Sequence, residues 1–461
     1  MKKQVCSIIL LIGMLFALSG CVFQAGDDFY ALPQLPEDYL ALQETINQVM
    51  KELGAEYAAP SSGNNVQTIQ LQDLDGVGDR ESAVAFFRVA NAEKPLKIYI
   101  FRQDPLTERY ETEWVIEGDG TAIYSVSFEN LGGSADKELV VSWQISSKVH
   151  SLAAYSLQLG GNVVELMRSG YTKNAIVDLD RDNEKEIVLV QLDAAENNGR
   201  AELYKYSDGM MLHTSAAPLS QYVSTIQSAR VGTLMNMIPA LFVSSGFGDN
   251  GGRVTDIIAL RDGVLTNVTL DQESGVEVSL STIRYYNDFK DANGLDINGD
   301  GILELPLEEP LPLVGETGTQ LYLLHWYQFD QNGDAARVCT TFHNYEDGWY
   351  LILPESWRGM ISAARRDSSA TSAGSERAIS FYYWPGGDPG LEPEEFLTIY
   401  RLSGTNRAYR ATVDNRVILV ESSDVIYAAK FRESNWDSQL NADELRLESF
   451  NRIKINWSDD D

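Results

Sequence analysis

Four segments of this 461-residue chain repeat one design, an apolar strand, an acidic turn and a second apolar strand. They read LQDLDGVGDRESAVAFF from Leu71, SFENLGGSADKELVVSW from Ser127, IVDLDRDNEKEIVLVQL from Ile176 and NGLDINGDGILELPL from Asn293. Aligned on Asp73, Asn130, Asp178 and Asp296 they lie 57, 48 and 118 residues apart, so the last gap has room for one degenerate unit, placed at Ser224–Ser245. A strand-rich unit repeated at roughly this length cannot bury its apolar faces alone and must stack on its neighbours. That constraint predicts a mainly β fold, a β-propeller of degenerate blades.

The first unit gives the anatomy. Ser82 to Val89, Leu96 to Gln103, Tyr110 to Glu117 and Ile123 to Phe128 read as strands, with NAEKP and DPLTER as the turns between the first three. Four strands per unit is the number of a propeller blade.

At these residues the chain resembles the FG-GAP and VCBS repeat families, which are β-propeller blades also found in integrin α subunits. The resemblance covers roughly 66–313 and rests on a D-x-D-x-D-G-x-x-E type loop between strands. It implies that the loops bind calcium.

Coordination chemistry can be set beside that implication. Calcium takes six to eight oxygens, so alternate acidic side chains, a backbone carbonyl and a closing carboxylate make a suitable shell. Asp178, Asp180, Asp182, the Glu184 carbonyl and Glu186 form one complete set. Asp296, Asn298, Asp300, the Ile302 carbonyl and Glu304 form the other, with Gly301 permitting the turn. The loop at Asp73 is weaker: Asp75 and Glu81 are in place, but Val77 stands where a ligand is wanted and Asp79 would have to compensate. The bland alternative is that Asp and Asn hold such turns through their own backbone amides, without metal.

Pro306, Pro310 and Pro312 crowd the strand after the Asp296 loop, which suits an edge or irregular segment. Beyond about Gln320 the acidic repeat stops. Strand patterns continue at 321–329, 337–342, 379–384, 396–402, 417–420 and 425–431, and 441–452 reads as a closing helix. The expected division is therefore 65–319 for the propeller repeats and 320–461 for a β-rich C-terminal domain. The alternative is that 320–461 supplies further blades of a single seven-bladed ring.

The N-terminus reads as an address. Lys2 and Lys3 precede an apolar run from Val5 to Leu18, too short for a comfortable membrane span. LSGC, Leu18 to Cys21, then resembles the lipobox of bacterial lipoproteins, which implies removal of 1–20 as a signal peptide and acylation of Cys21. Two acyl chains hold a domain at a bilayer where one binds only reversibly. Cys6 leaves with the signal, so Cys339 has no disulfide partner. In the stretch 21–64, a tether leads to Pro36–Gly54, where Tyr39, Leu42, Ile46, Val49 and Leu53 recur at helical spacing. This predicts an amphipathic helix docked on the main domain.

A net charge of −31 repels nucleic acid and anionic headgroups and favours cations or basic partners. Among catalytic signatures, H-E-x-x-H, G-x-S-x-G, the Walker loop and G-x-G-x-x-G are all absent from the sequence. The four histidines, His150, His213, His325 and His343, have no metal-ligand spacing. The sequence thus predicts a lipid-anchored protein on the extracytoplasmic face of a bacterial membrane, a calcium-stabilised binding or scaffold module for a protein or glycan ligand. The alternative is an extracytoplasmic hydrolase acting on glycans with propeller-face carboxylates, for which Glu308 and Glu309 are one acidic pair and FYYWPGG, Phe381 to Gly387, an aromatic stretch able to stack on sugars.

Overall fold

The computed structural model describes residues 37–453 except 77, 79–81, 105–106, 108, 158–160, 194–197, 248–251, 271–277, 280, 284–293, 316–317 and 368–373. Cys21 and the leader, with Asp79 and Glu81, lie outside the described residues.

The chain is mainly β. Among the described residues its strands form six antiparallel sheets, each built from a nearly unbroken run of sequence. Sheet one joins Ile69–Gln72, Ser82–Val89, Leu96–Gln103 and Tyr110–Gly118, with Ala55–Tyr57 beside Ser82–Val89. Sheet two runs Ala122–Glu129, Glu138–Ser146, Val149–Leu157, Val163–Tyr171; sheet three runs Lys173–Val177, Glu186–Asp193, Asn198–Ser207, Met210–Pro218. Sheet four takes Val223–Leu234, Ile238–Phe247, Gly252–Arg261 and Val264–Asn267, plus the short Thr282–Ile283. The unit expected at Ser224–Ser245, which keeps almost no acidic signature, is therefore the first hairpin of this sheet.

Sheet five joins Leu305–Pro310, Tyr322–Phe329, Ala335–Asn344, Trp349–Leu353 and the late strand Phe450–Arg452. Leu305 pairs with Tyr327, so this sheet has strands on both sides of position 320, where the acidic repeat ends. The proline-rich strand Leu305–Pro310 is its edge, where a missing N–H costs least. Sheet six holds Ile361–Arg365, Glu376–Tyr383, Glu394–Ser403, Val425–Phe431 and Val417–Glu421. The stretch read as a closing helix is helical only over 442–449; Phe450 packs on Trp349 with ring centroids 5.7 Å apart, and the chain leaves as a strand.

In each of the first three sheets the second strand is buried on both faces along most of its length, while the fourth alternates toward solvent. The buried faces meet in series. Val84, Phe86 and Trp114 of sheet one share a cluster with Val141, Trp143 and Tyr155 of sheet two. Val140 and Leu152 of sheet two pack with Ile187 and Leu189 of sheet three, and Val188 and Leu203 with Leu241 and Val254 of sheet four. Phe242 and Ile257 continue to Leu305 and Phe329 of sheet five, and Phe342 and Leu351 to Ile379 and Phe381 of sheet six.

The remaining face of sheet one is covered by the predicted helix, Glu37–Leu53, whose Leu42 and Ile46 pack on Ala83, Ala85, Phe87 and Phe101. The far face of sheet six packs Ala378, Tyr400 and Ala428 against Ala411, at the end of a short helix Arg407–Arg410.

Candidate functional site

The acidic loops are spread along this series, each between a first and a second strand or in the equivalent place before Leu305. Their shared element is the closing glutamate. Glu138, Glu186 and Glu304 are buried, and each carboxylate accepts a backbone N–H from seven residues earlier, from Leu131 at 2.9 Å, Leu179 at 2.7 Å and Ile297 at 2.8 Å. Those donors belong to the apolar residue after the loop's first position, itself buried in the core as Leu131, Leu179 and Ile297. Burial raises all three glutamates above the ordinary carboxylate value, against the pull of those N–H bonds.

The residue before each closing glutamate ties its loop to the preceding sheet. Lys137 N–H donates to Leu74 O at 2.8 Å, Lys185 N–H to Asn130 O at 2.8 Å and Leu303 N–H to Thr233 O at 3.0 Å. The Asp73, Asn130 and Asp178 loops are thus linked backbone to backbone, and the Asp296 loop is tied to the first strand of sheet four.

The Asp178 and Asp296 loops share one backbone shape. Asp178 accepts N–H bonds from Arg181 at 2.6 Å, Asp182 at 3.2 Å and Asn183 at 3.0 Å. Asp296 accepts the matching bonds from Gly299 at 2.6 Å, Asp300 at 3.0 Å and Gly301 at 2.9 Å. The two left-handed positions are Arg181 and Asn183 in one loop, Gly299 and Gly301 in the other. Glycine meets that conformation without the Cβ penalty. Both turns are held by their own amides, which is the metal-free geometry weighed against coordination.

They nonetheless gather carboxylates. One oxygen each from Asp178, Asp180 and Glu186 lies within 4.8 Å of the others, and the same holds for Asp296, Asp300 and Glu304. Asp182, counted as a ligand from spacing, is outside its triad and instead accepts the Glu184 N–H at 2.8 Å. Asn298 lies beside its triad, donating to Asp300 at 2.9 Å, and hydrogen bonds, first that one, hold Asp300 below the ordinary carboxylate value. The Ile302 N–H donates to Asp300 at 2.9 Å.

The two triads differ in what faces them. The Lys205 ammonium bonds Asp180 and lies 3.2 Å from Glu186. At the other triad the Gln328 amide donates to Asp300 and to Glu304, both at 2.7 Å. Among the described residues no Lys or Arg pairs with Asp296, Asp300 or Glu304. In the Asp73 loop, Asp75 is ion-paired with Arg102.

Other sequence candidates have structural partners. Glu309 bonds His325, whose second ring nitrogen meets Thr340 Oγ1 at 2.8 Å. Phe381 is core, the Tyr382 hydroxyl accepts from Arg366 at 2.8 Å and Tyr383 stacks on Trp436 at 4.8 Å, so FYYWPGG is largely consumed by packing. Cys339 is a free thiol pushed up to about 12 by burial.

Neither a family model nor a curated protein matches this chain. Among solved structures it is similar to an exotype rhamnogalacturonan lyase, at 11% identity over 74% of each chain and a TM-score of 0.28. It is similar to a rhamnogalacturonan lyase of Bacillus licheniformis at 11% identity, 74% of this chain, 76% of that chain and a TM-score of 0.29. For an endo-arabinase of Bacteroides thetaiotaomicron the values are 9% identity, 63% and 98% coverage and a TM-score of 0.25. Likenesses this distant carry no argument about fold or chemistry.

Proposed function

We propose that this chain is a lipid-anchored extracytoplasmic binding or scaffold module, its sheets successive blades of a propeller-type array, with a calcium ion held by the Asp296 loop. The supporting observation is the triad Asp296, Asp300 and Glu304, three hard oxygen donors within 4.8 Å that face a neutral amide rather than a basic side chain. The Asn298 amide and the Ile302 carbonyl are further oxygens of the kind calcium takes and magnesium, with its stricter octahedron, fits less well.

Adding millimolar calcium after chelation should raise the unfolding temperature of the mature chain. At a hundredfold excess over Kd the gain is about 3 kcal/mol. Asp300→Ala should abolish most of it. No calcium uptake by calorimetry and no thermal shift would remove the cation from the proposal. The anchor rests on LSGC and is tested separately: a fatty-acid analogue should label the protein through Cys21, and label persisting in Cys21→Ala would overturn it.

The second reading, an extracytoplasmic hydrolase acting on glycans, needs two carboxylates flanking a scissile bond. Of the pair Glu308 and Glu309, the latter is already engaged with His325. Release of reducing ends from rhamnogalacturonan, arabinan or galactan, lost on substituting one face carboxylate, would establish this reading over the first.

A further inference from the structure

We infer that the residue opposite each closing glutamate decides whether its loop takes a divalent cation: Lys205 excludes one from the Asp178 loop, and Gln328 admits one to the Asp296 loop. This rests on the cation reading of the Asp296 loop proposed above and names what selects that loop over its twin.

The two positions are structurally the same. In sheet three Ile187 pairs with Tyr204, which sets Glu186 opposite Lys205; in sheet five Leu305 pairs with Tyr327, which sets Glu304 opposite Gln328. Both side chains reach the closing glutamate and one acidic loop residue, Asp180 or Asp300. The sheet-three copy of the template therefore already holds a cation, the ammonium, among its carboxylates.

A lysine has donors only, so a metal entering the Asp178 triad would have to expel a bound positive charge and then face it at contact range. A glutamine has no charge to expel. Rotating its amide exchanges the N–H donor for a carbonyl oxygen, so Gln328 changes from a hydrogen-bond donor to the carboxylates into a further oxygen for the ion. The loops that look equally complete in sequence are thus unequal sites, one self-neutralised and one awaiting a cation.

The test is calcium titration of the mature chain by calorimetry, with the unfolding temperature followed in parallel. The wild type should take one equivalent, lost in Asp300→Ala. Lys205→Gln should take two, and Gln328→Lys none while keeping the wild-type circular dichroism. Two equivalents in the wild type, one in a folded Lys205→Gln, or unchanged uptake in Gln328→Lys would each overturn the inference. If Lys205→Gln folds only with calcium present, its calcium-dependent transition supports it. A wild type that binds nothing while Lys205→Gln gains one equivalent would overturn the Asp296 reading and the role given to Gln328, leaving only the exclusion by Lys205.

Discussion

His343 illustrates how a single side chain can carry a pH dependence that the sequence does not announce. It is buried beside Trp326 and Tyr345 and stacked on Tyr350 at 4.8 Å, with neither ring nitrogen hydrogen-bonded among the described residues. Burial pushes it from 6.5 down to about 3, so the native state holds the neutral ring. The unfolded chain takes up the proton near 6.5; this contribution to stability is complete above that pH and is lost as pH falls from 6.5 toward 3. Between pH 7.5 and 5 it amounts to about 2 kcal/mol. Denaturant titrations at the two values should show His343→Phe losing that much less than the wild type, and equal losses would show the ring to be hydrated. Glu304 runs the other way. Burial raises it above the ordinary carboxylate value, so a proton competes with calcium there and calcium affinity should fall on acidification sooner than at an exposed glutamate, as calorimetry over a series of falling pH values would show.

The elements were largely legible, because each strand is a short apolar run closed by turn residues. Ser82–Val89, Leu96–Gln103 and Val425–Phe431 have the bounds that their patterns predict. The loops were legible as acidic turns, but their charge balance was not: Lys205 is 19 residues from Glu186 and Gln328 is 24 from Glu304, distances that only strand register closes. A cue that was available is the apolar residue after each loop's first position, Leu74, Leu131, Leu179 or Ile297, which anchors the turn in the core. The helix Glu37–Leu53 can be weighed by truncation. Ile46 is fully buried on sheet one whereas Leu40 is exposed, so Ile46→Ala should cost about 2–5 kcal/mol and Leu40→Ala under about 0.5 kcal/mol. Equal, small shifts in the denaturant midpoint would mean that the helix is not docked in solution.

At the scale of the whole molecule, five core clusters each join a sheet to the next, so stability spreads through nearest neighbours. The sequence suggested a division at 320 because the acidic turn stands at the head of a sheet and the rest of sheet five carries no further copy. Sheet six is preceded by the short helix Glu355–Trp357, and its sequence carries no D-x-D-x-D turn, so the repeat signal does not extend into it. A chain ending at Leu313 would keep Leu305–Pro310 but lose its one strand partner among the described residues, Tyr322–Phe329, and would uncover Leu303 and Leu305 where Phe329 packs. A strand with unpaired backbone and an exposed apolar face is an aggregation template. That chain should be recovered mostly insoluble or bind a hydrophobic dye strongly, whereas the full mature chain should not. A soluble product with a sharp thermal transition would mean that the first four sheets stand alone and that 320 marks a working boundary.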